Sequence, residues 1–305
     1  MLGFISHAEC KLHDPGAGHP DTPKRLDVID DALIASGLST VMRFFDAEMA
    51  ERKDLARVHD DAYIDTIFKA SSASGSVALD DDTVLSPDTL NAALRAAGAG
   101  VQGVDLVMRG DVDSVFCAVR PPGHHAERGK AMGFCIFNNV AVAVAHAMEE
   151  YGLTRVAVVD FDVHHGNGTE DIFADDPRVL VCSIFQYPFY PHTGLSSKSS
   201  NIINIPLPAG TSGGSFRDAV KIKCLPALDA FKPQLICVSA GFDGHEYDDM
   251  SGFALREDDY AWITRRIVDA ANRHANGRIV SMLEGGYEYG ALARSVVSHL
   301  KALMG

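Results

Sequence analysis

The sequence is poor in cysteine, has one tryptophan, and contains no apolar run approaching the ~20 residues that a membrane-spanning helix needs. Its first residues, MLGFISHAECKLHD, lack both a basic start and a long apolar stretch, so a secretory leader and membrane attachment are not expected. The six cysteines (Cys10, Cys117, Cys135, Cys182, Cys224 and Cys237) stand singly, with no C-x-x-C pair. That spacing argues against a disulfide framework or a thiolate metal site. Small buried hydrophobes in a reducing, cytoplasmic setting are expected instead. Positive charge is also scarce: 27 Lys and Arg face 41 Asp and Glu, a net charge of −14. Such a surface repels phosphate backbones, so no direct nucleic-acid partner is expected. It could draw in lysine-rich peptides or polyamines, although an ordinary soluble acidic surface explains the charge equally well. Internal repeats and low-complexity linkers are missing too.

What is present suits one α/β domain spanning 1–305, although the length is compatible with two. Apolar, β-branched runs at 114–119, 155–161, 179–184, 201–205, 235–239 and 278–283 read as strands. They alternate with helical periodicity at 24–36, 61–71, 87–108, 138–151, 215–231, 257–275 and 290–303. Wholly apolar strands between helices indicate a parallel sheet covered on both faces. The segment 186–200, rich in Pro, Tyr and Ser, reads as one long surface loop. Ligands of open parallel sheets bind beyond the carboxyl ends of the strands, and four polar clusters lie there.

In RVAVVDFDVHHGNGT, Asp160, Asp162, His164, His165 and Asn167 follow a buried-strand pattern at once. Two carboxylates in an apolar strand are costly unless a cation or hydrogen bonds compensate. Asp162 and His164, two residues apart, could reach one divalent ion, zinc or iron(II). A polar turn capping the next helix explains the Gly-Asn-Gly-Thr part but not the two aspartates. In SVFCAVRPPGHHAERGKAMGFCIFNNVA, two prolines and Gly123 rigidify the approach to His124 and His125, which suit proton transfer near neutral pH. On this segment alone a surface His pair stays open, and Phe134 alone would be core more often than substrate wall.

In SAGFDGHEYDD, Asp243 is a third candidate metal ligand, and two carboxylates plus one imidazole leave a coordination position open, as catalytic sites do. His245, Glu246, Asp248 and Asp249 read as a solvated loop, with a rival metal cluster as the weaker option. In MLEGGYEYG, Gly285 and Gly286 allow close approach of backbone to a ligand. The phenol of Tyr287, a hydrogen-bond donor at neutral pH, could then polarise a carbonyl. Standing alone, this motif would be an ordinary turn with a surface tyrosine.

Taken in order, the four clusters resemble the histone deacetylase and acetylpolyamine amidohydrolase superfamily, and the likeness runs from HDPGAGHPDTPKRL to the C-terminal helix. The Asn of HHGNG, SPDTLNAAL and NIPLPAGT look most like its class II and bacterial branch. The resemblance implies an arginase-like α/β fold with a largely parallel eight-stranded sheet, and a deacetylase that removes acyl groups from lysine or from small amines. It implies zinc ligands Asp162, His164 and Asp243, with iron(II) as a substitute. His125 would be general base and then acid, His124 its electrostatic partner on Asp160, Asn167 a neutral partner of His125, and Tyr287 the oxyanion donor. Phe134 and Tyr190 would line an acyl-lysine tunnel, with the Gly133 carbonyl accepting the substrate amide proton. Asp82 (or Asp80 or Asp81) would sit at the rim, and Arg25 near an inner acetate cavity. Structural K⁺ or Na⁺ ions are implied around Asp160, Asp162 and Ser183. Homodimers and homotetramers are both compatible with the resemblance.

Some positions depart from the family pattern. Phe185 stands where many members have histidine, and His192 replaces a glycine, which puts acyl-chain and substrate preference in doubt. Met250 lies about where polyamine-selective members carry a glutamate, and an apolar residue there favours acyl-lysine. An acetylpolyamine amidohydrolase, a two-metal arginase-type hydrolase and a catalytically silent acyl-lysine-binding module are the rival expectations.

Overall fold

The computed structural model describes residues 1–71, 75–197 and 199–305. Residue 198, part of the expected long loop, lies outside the described residues. Eight strands form one sheet: β1 (Leu2–Ser6), β2 (Arg43–Asp46), β3 (Ser114–Cys117), β4 (Val156–Asp160), β5 (Val179–Gln186), β6 (Ile202–Leu207), β7 (Leu235–Ala240) and β8 (Ile279–Leu283). Their order is β2-β1-β3-β8-β7-β4-β5-β6, and every neighbouring pair is parallel. A two-stranded antiparallel ribbon, Val77–Ala78 with Val84–Leu85, stands apart.

β3, β4, β5, β7 and β8 are buried along their whole length. Helices cover both faces, so alternation gives way to continuous Val, Ile and Leu. The six expected strands are present, with no end shifted by more than two residues. β1 and β2 were not anticipated: each is short, and β2 is an edge strand with mostly exposed side chains, so neither has a long apolar run. The expected helix 215–231 is one continuous coil interrupted by a wider turn at Val220–Cys224. No helix among the described residues is long and apolar enough to cross a membrane.

The sheet order decides where chemistry can occur. β3, β8, β7 and β4 are consecutive neighbours in the middle of the sheet, and the register pairs Met282 with Cys117, Leu283 with Ala240, and Asp160 with Ser239. All four strands therefore end at one level. The four polar clusters, spread in sequence from Arg120 to Tyr287, leave the sheet side by side.

Candidate active site

The metal-ligand candidates come together as a buried group. One ligand atom from each of Asp162, His164 and Asp243 lies within 4.8 Å of the others. His164 Nδ1 is 3.0 Å from Asp162 Oδ1 and 3.3 Å from Asp243 Oδ2. Backbone N–H groups use up the remaining carboxylate positions: Gly285 donates to Asp162 Oδ2 (2.8 Å), and Val163 to Asp243 Oδ1 (3.0 Å). Asp243 Oδ2 is left buried without a hydrogen bond. Burial and the neighbouring Asp162 charge push Asp243 up to about 6. Burial opposes a charge on His164, yet its hydrogen bond to Asp162 and the nearby Asp243 carboxylate raise it to about 10. Two carboxylates around one imidazole thus need a positive charge, which a divalent cation supplies without a buried proton. The donor set, one nitrogen and two carboxylates with an orphaned oxygen, fits such an ion.

Two glycines make room for the triad. A Cβ on Gly285 would stand 1.9 Å from Asp243 Oδ2, and one on Gly241 would stand 2.1 Å from Asp162 Oδ2.

Beside the triad the two histidine rings of the Pro-Pro-Gly turn lie 4.0 Å apart, in different electrostatic states. His124 Nδ1 meets Asp160 Oδ2 at 2.9 Å. Burial disfavours its charge, but Asp160, Asp162 and Glu284 outweigh that and hold it well above the ordinary histidine value. His125 is held well below that value, by burial first and then by the like charges of His124 and His164. The pair is therefore one imidazolium and one neutral imidazole. His125 Nδ1 meets Asn167 Oδ1 at 2.7 Å, and Asn167 Nδ2 donates to Glu127 Oε1 at 2.8 Å. Because Glu127 can only accept, the amide presents its oxygen to His125, so the proton sits on Nδ1 and the lone pair on Nε2.

Tyr287 forms the opposite wall. Its ring lies 4.9 Å from the Arg25 guanidinium carbon and edge-on to Phe134 at 6.0 Å. Burial keeps its phenol well above the ordinary value, so it is a donor at any neutral pH. A cavity of 140 Å³ runs between these groups. Asp82, Gly133, Phe134, Tyr190, Met250 and Tyr287 line it with His124, His125 and His164, as do Pro122, expected only to stiffen the histidine turn, and Phe189, which sequence reasoning had not singled out. Phe189 stacks on His164, with ring centroids 5.2 Å apart at 20°. Gly133 is required under His125, where a Cβ would meet Cδ2 at 2.5 Å, and its carbonyl accepts from Cys135 Sγ at 3.2 Å.

Three expectations need correction. Arg25 does not line the cavity: it is fully buried, donating to Gly286 O (2.7 Å), Glu284 O (2.5 Å) and Asp21 Oδ1 (2.7 Å), behind Tyr287. Its guanidinium is held by protein partners and supports the Tyr287 wall from behind. The 245–249 stretch is not simply solvated: His245 and Asp248 are buried, at 1% and 4% exposure. Phe185 and His192, expected near the tunnel mouth or the cation site, do not line the cavity: Phe185 packs inside against His165 (4.6 Å), and His192 is exposed.

Sequence reasoning also missed a buried scaffold. Asp21 bridges Arg25 and Arg120, all three at 0% exposure, and Arg120 further binds the carbonyls of Cys10 and His13. Glu284 Oε2 accepts the N–H groups of Gly123 (2.7 Å) and His124 (3.2 Å), tying the end of β8 to the histidine turn. The only local hint was that Asp21, Arg25 and Glu284 sit within otherwise apolar or Gly- and Pro-rich surroundings.

A parallel α/β sheet with a buried Asp–His–Asp group that could hold a metal, paired histidines and a phenol at the strand carboxyl ends has the parts of a hydrolytic site. The histone deacetylase domain model matches residues 19–303, and the chain belongs to that family. An uncharacterized protein of Synechocystis sp. is 38% identical over 310 residues, covering all of both chains. A histone deacetylase-like amidohydrolase of Pseudomonas aeruginosa is 37% identical over 278 residues, covering 89% of this chain and 73% of its own. Among solved structures, the crystal structure of the HDA15 HD domain superposes with a TM-score of 0.94 at 30% identity, over 100% of this chain and 89% of that one. The arginase-like, largely parallel fold expected above is thus the fold of this family.

Proposed function

We propose that the protein is a zinc-dependent deacylase that hydrolyses N-acyl-lysine side chains to free lysine and a carboxylic acid. The observation that carries this reading is the neutral His125 and the Tyr287 phenol facing one cavity beside the Asp162–His164–Asp243 group. Asp162, His164 and Asp243 would hold zinc, which when bound would supply the positive charge to acidify a water molecule and polarise the acyl carbonyl. His125 Nε2, free because Nδ1 is engaged by Asn167, takes the proton of the attacking water and returns it to the leaving amine. Tyr287 donates its hydroxyl hydrogen to the acyl oxygen as charge develops there. His124, held as imidazolium by Asp160, keeps a positive charge beside the reacting atoms and discourages His125 from protonating before the reaction.

The cavity walls support an acyl-lysine substrate. Phe134, Phe189 and Tyr190 form an apolar slot suited to a methylene chain, and Met250 brings no charge to the mouth. A free polyamine amine would find no carboxylate at Met250, whereas Asp82 at the rim can accept hydrogen bonds from a peptide backbone. Six free, buried cysteines agree with a reducing, cytoplasmic setting.

The test is a zinc-reconstituted assay over formyl-, acetyl-, propionyl- and longer acyl-lysine peptides, with acetylputrescine alongside, each with and without chelator. Chelator-sensitive release of carboxylic acid from acetyl-lysine is expected, with acetylputrescine slower. Turnover confined to acetylputrescine would move the substrate to polyamines. Hydrolysis that is indifferent to complete metal removal would refute the mechanism.

A further inference from the structure

Asp248 lies five residues beyond Asp243, in the stretch whose charges resemble a solvated loop, yet it is 4% exposed. Its two oxygens do separate jobs. Oδ2 accepts the backbone N–H of Tyr287 at 2.6 Å and of Glu288 at 3.0 Å. Oδ1 accepts the N–H of Met250 at 3.0 Å. Tyr287 contributes the phenol of the cavity, and Met250 lines the same cavity. The residue before Tyr287 is Gly286, at φ 122°, where a side chain would be strained and would crowd Leu292 and Phe242. After such a flexible residue, the direction of the Tyr287 backbone depends on what holds its N–H. Arg25 grips the preceding carbonyl and flanks the ring, and Asp248 grips the N–H.

We infer that Asp248 is a positioning residue for the reaction: one buried carboxylate sets the reach of the Tyr287 hydroxyl and ties it to the cavity-wall residue Met250. This rests on the reading of Tyr287 as donor to the acyl oxygen. A carboxylate can accept on both oxygens at once, whereas an amide offers one acceptor and turns two donor hydrogens toward the other side. Asp248→Asn therefore preserves size while breaking one half of the clamp. Donor geometry within a closed site is demanding, and a shift of about 1 Å can cost on the order of a hundredfold in rate.

The experiment is a double-mutant cycle of Asp248→Asn and Tyr287→Phe in the zinc-loaded full chain, with metal content and thermal midpoint measured for each protein. Affinity for a peptide trifluoromethyl ketone, which hydrates to a tetrahedral diol, is compared with affinity for the product lysine peptide. Asp248→Asn should lower kcat about ten- to hundredfold, with KM changed less than threefold and one zinc per chain retained. It should weaken the ketone but not the product peptide. In the Tyr287→Phe background it should cost less than twofold more, because the group it positions is gone. If Tyr287→Phe is severely impaired and Asp248→Asn lowers kcat by the same factor in both backgrounds, Asp248 does not act through the phenol and the inference is overturned. If Tyr287→Phe keeps wild-type kcat, the reading of Tyr287 fails instead, which is a distinct result. Should Asp248→Asn not fold, Asp248→Ser goes through the same cycle, with the same two outcomes deciding.

Discussion

Gly285→Ala adds one methyl group and should remove the metal. The new Cβ would stand 1.9 Å from Asp243 Oδ2, 2.6 Å from Asp162 Oδ2 and 2.7 Å from Asp243 Cγ. Relief to an ordinary contact near 3.4 Å requires the Asp243 oxygen to retreat by roughly 1.5 Å. Metal–ligand distances tolerate about 0.2 Å, so that displacement exceeds the tolerance several-fold. Gly285 is not among the positive-φ glycines, so alanine meets no left-handed strain there and the clash falls on the two carboxylates. Zinc at about a thousand times its dissociation constant stabilises a folded chain by about 4.1 kcal/mol. With an unfolding entropy of about 2.1 cal/mol/K per residue over 305 residues, that is a rise of about 6 °C in the thermal midpoint. The assay is metal content after removal of excess zinc, with thermal melts before and after loading. Wild type should retain one equivalent and gain the 6 °C, and Gly285→Ala should do neither. A variant that keeps stoichiometric zinc and the full thermal gain refutes the assignment of Asp162 and Asp243 to one ion.

The remaining predictions concern the groups around the centre. Asp21→Ala strands two fully buried guanidiniums and should cost about 3–5 kcal/mol in urea denaturation, where breaking a buried pair is expected to be severe; a loss under 1 kcal/mol would mean that water replaces the carboxylate. Glu127→Leu frees the Asn167 amide to rotate, letting its NH₂ face His125 Nδ1, so kcat should fall several-fold to tenfold with metal content unchanged. An unaltered rate would show that Glu127 does not set the tautomer. His59 accepts the Asn138 N–H at Nε2 and, with burial as the main cause, is lowered to about 4. A histidine lowered in the folded state stabilises fully above its unfolded value, and that contribution is lost as pH falls toward the folded one. Stability should therefore drop by about 2 kcal/mol per such histidine between pH 7 and pH 5. His13, also lowered to about 4 by burial, should add to the loss. A denaturation midpoint flat over that range would contradict neutral burial of these rings.

Much of the active centre was readable in the chain because strand ends are local events. β4, β7 and β8 announce themselves as apolar runs, and the residues that follow them, Asp160 to His164, Asp243 and Tyr287, carry polar chemistry where a sheet of this kind places its ligands. The adjacency of His124 and His125 and the spacing of Asp162 and His164 belong to the sequence too. Tertiary structure alone decided that β3, β8, β7 and β4 are neighbours, and that placed four separate motifs around one cavity. It also decided which charges are inside. Asp21, Arg25, Arg120, Asp248 and Glu284 have the same letters as solvated residues, and only their distant partners make burial affordable. Local pattern reports which way a backbone runs, whereas the burial of a charge depends on distant partners, as Asp21 depends on Arg120, 99 positions away.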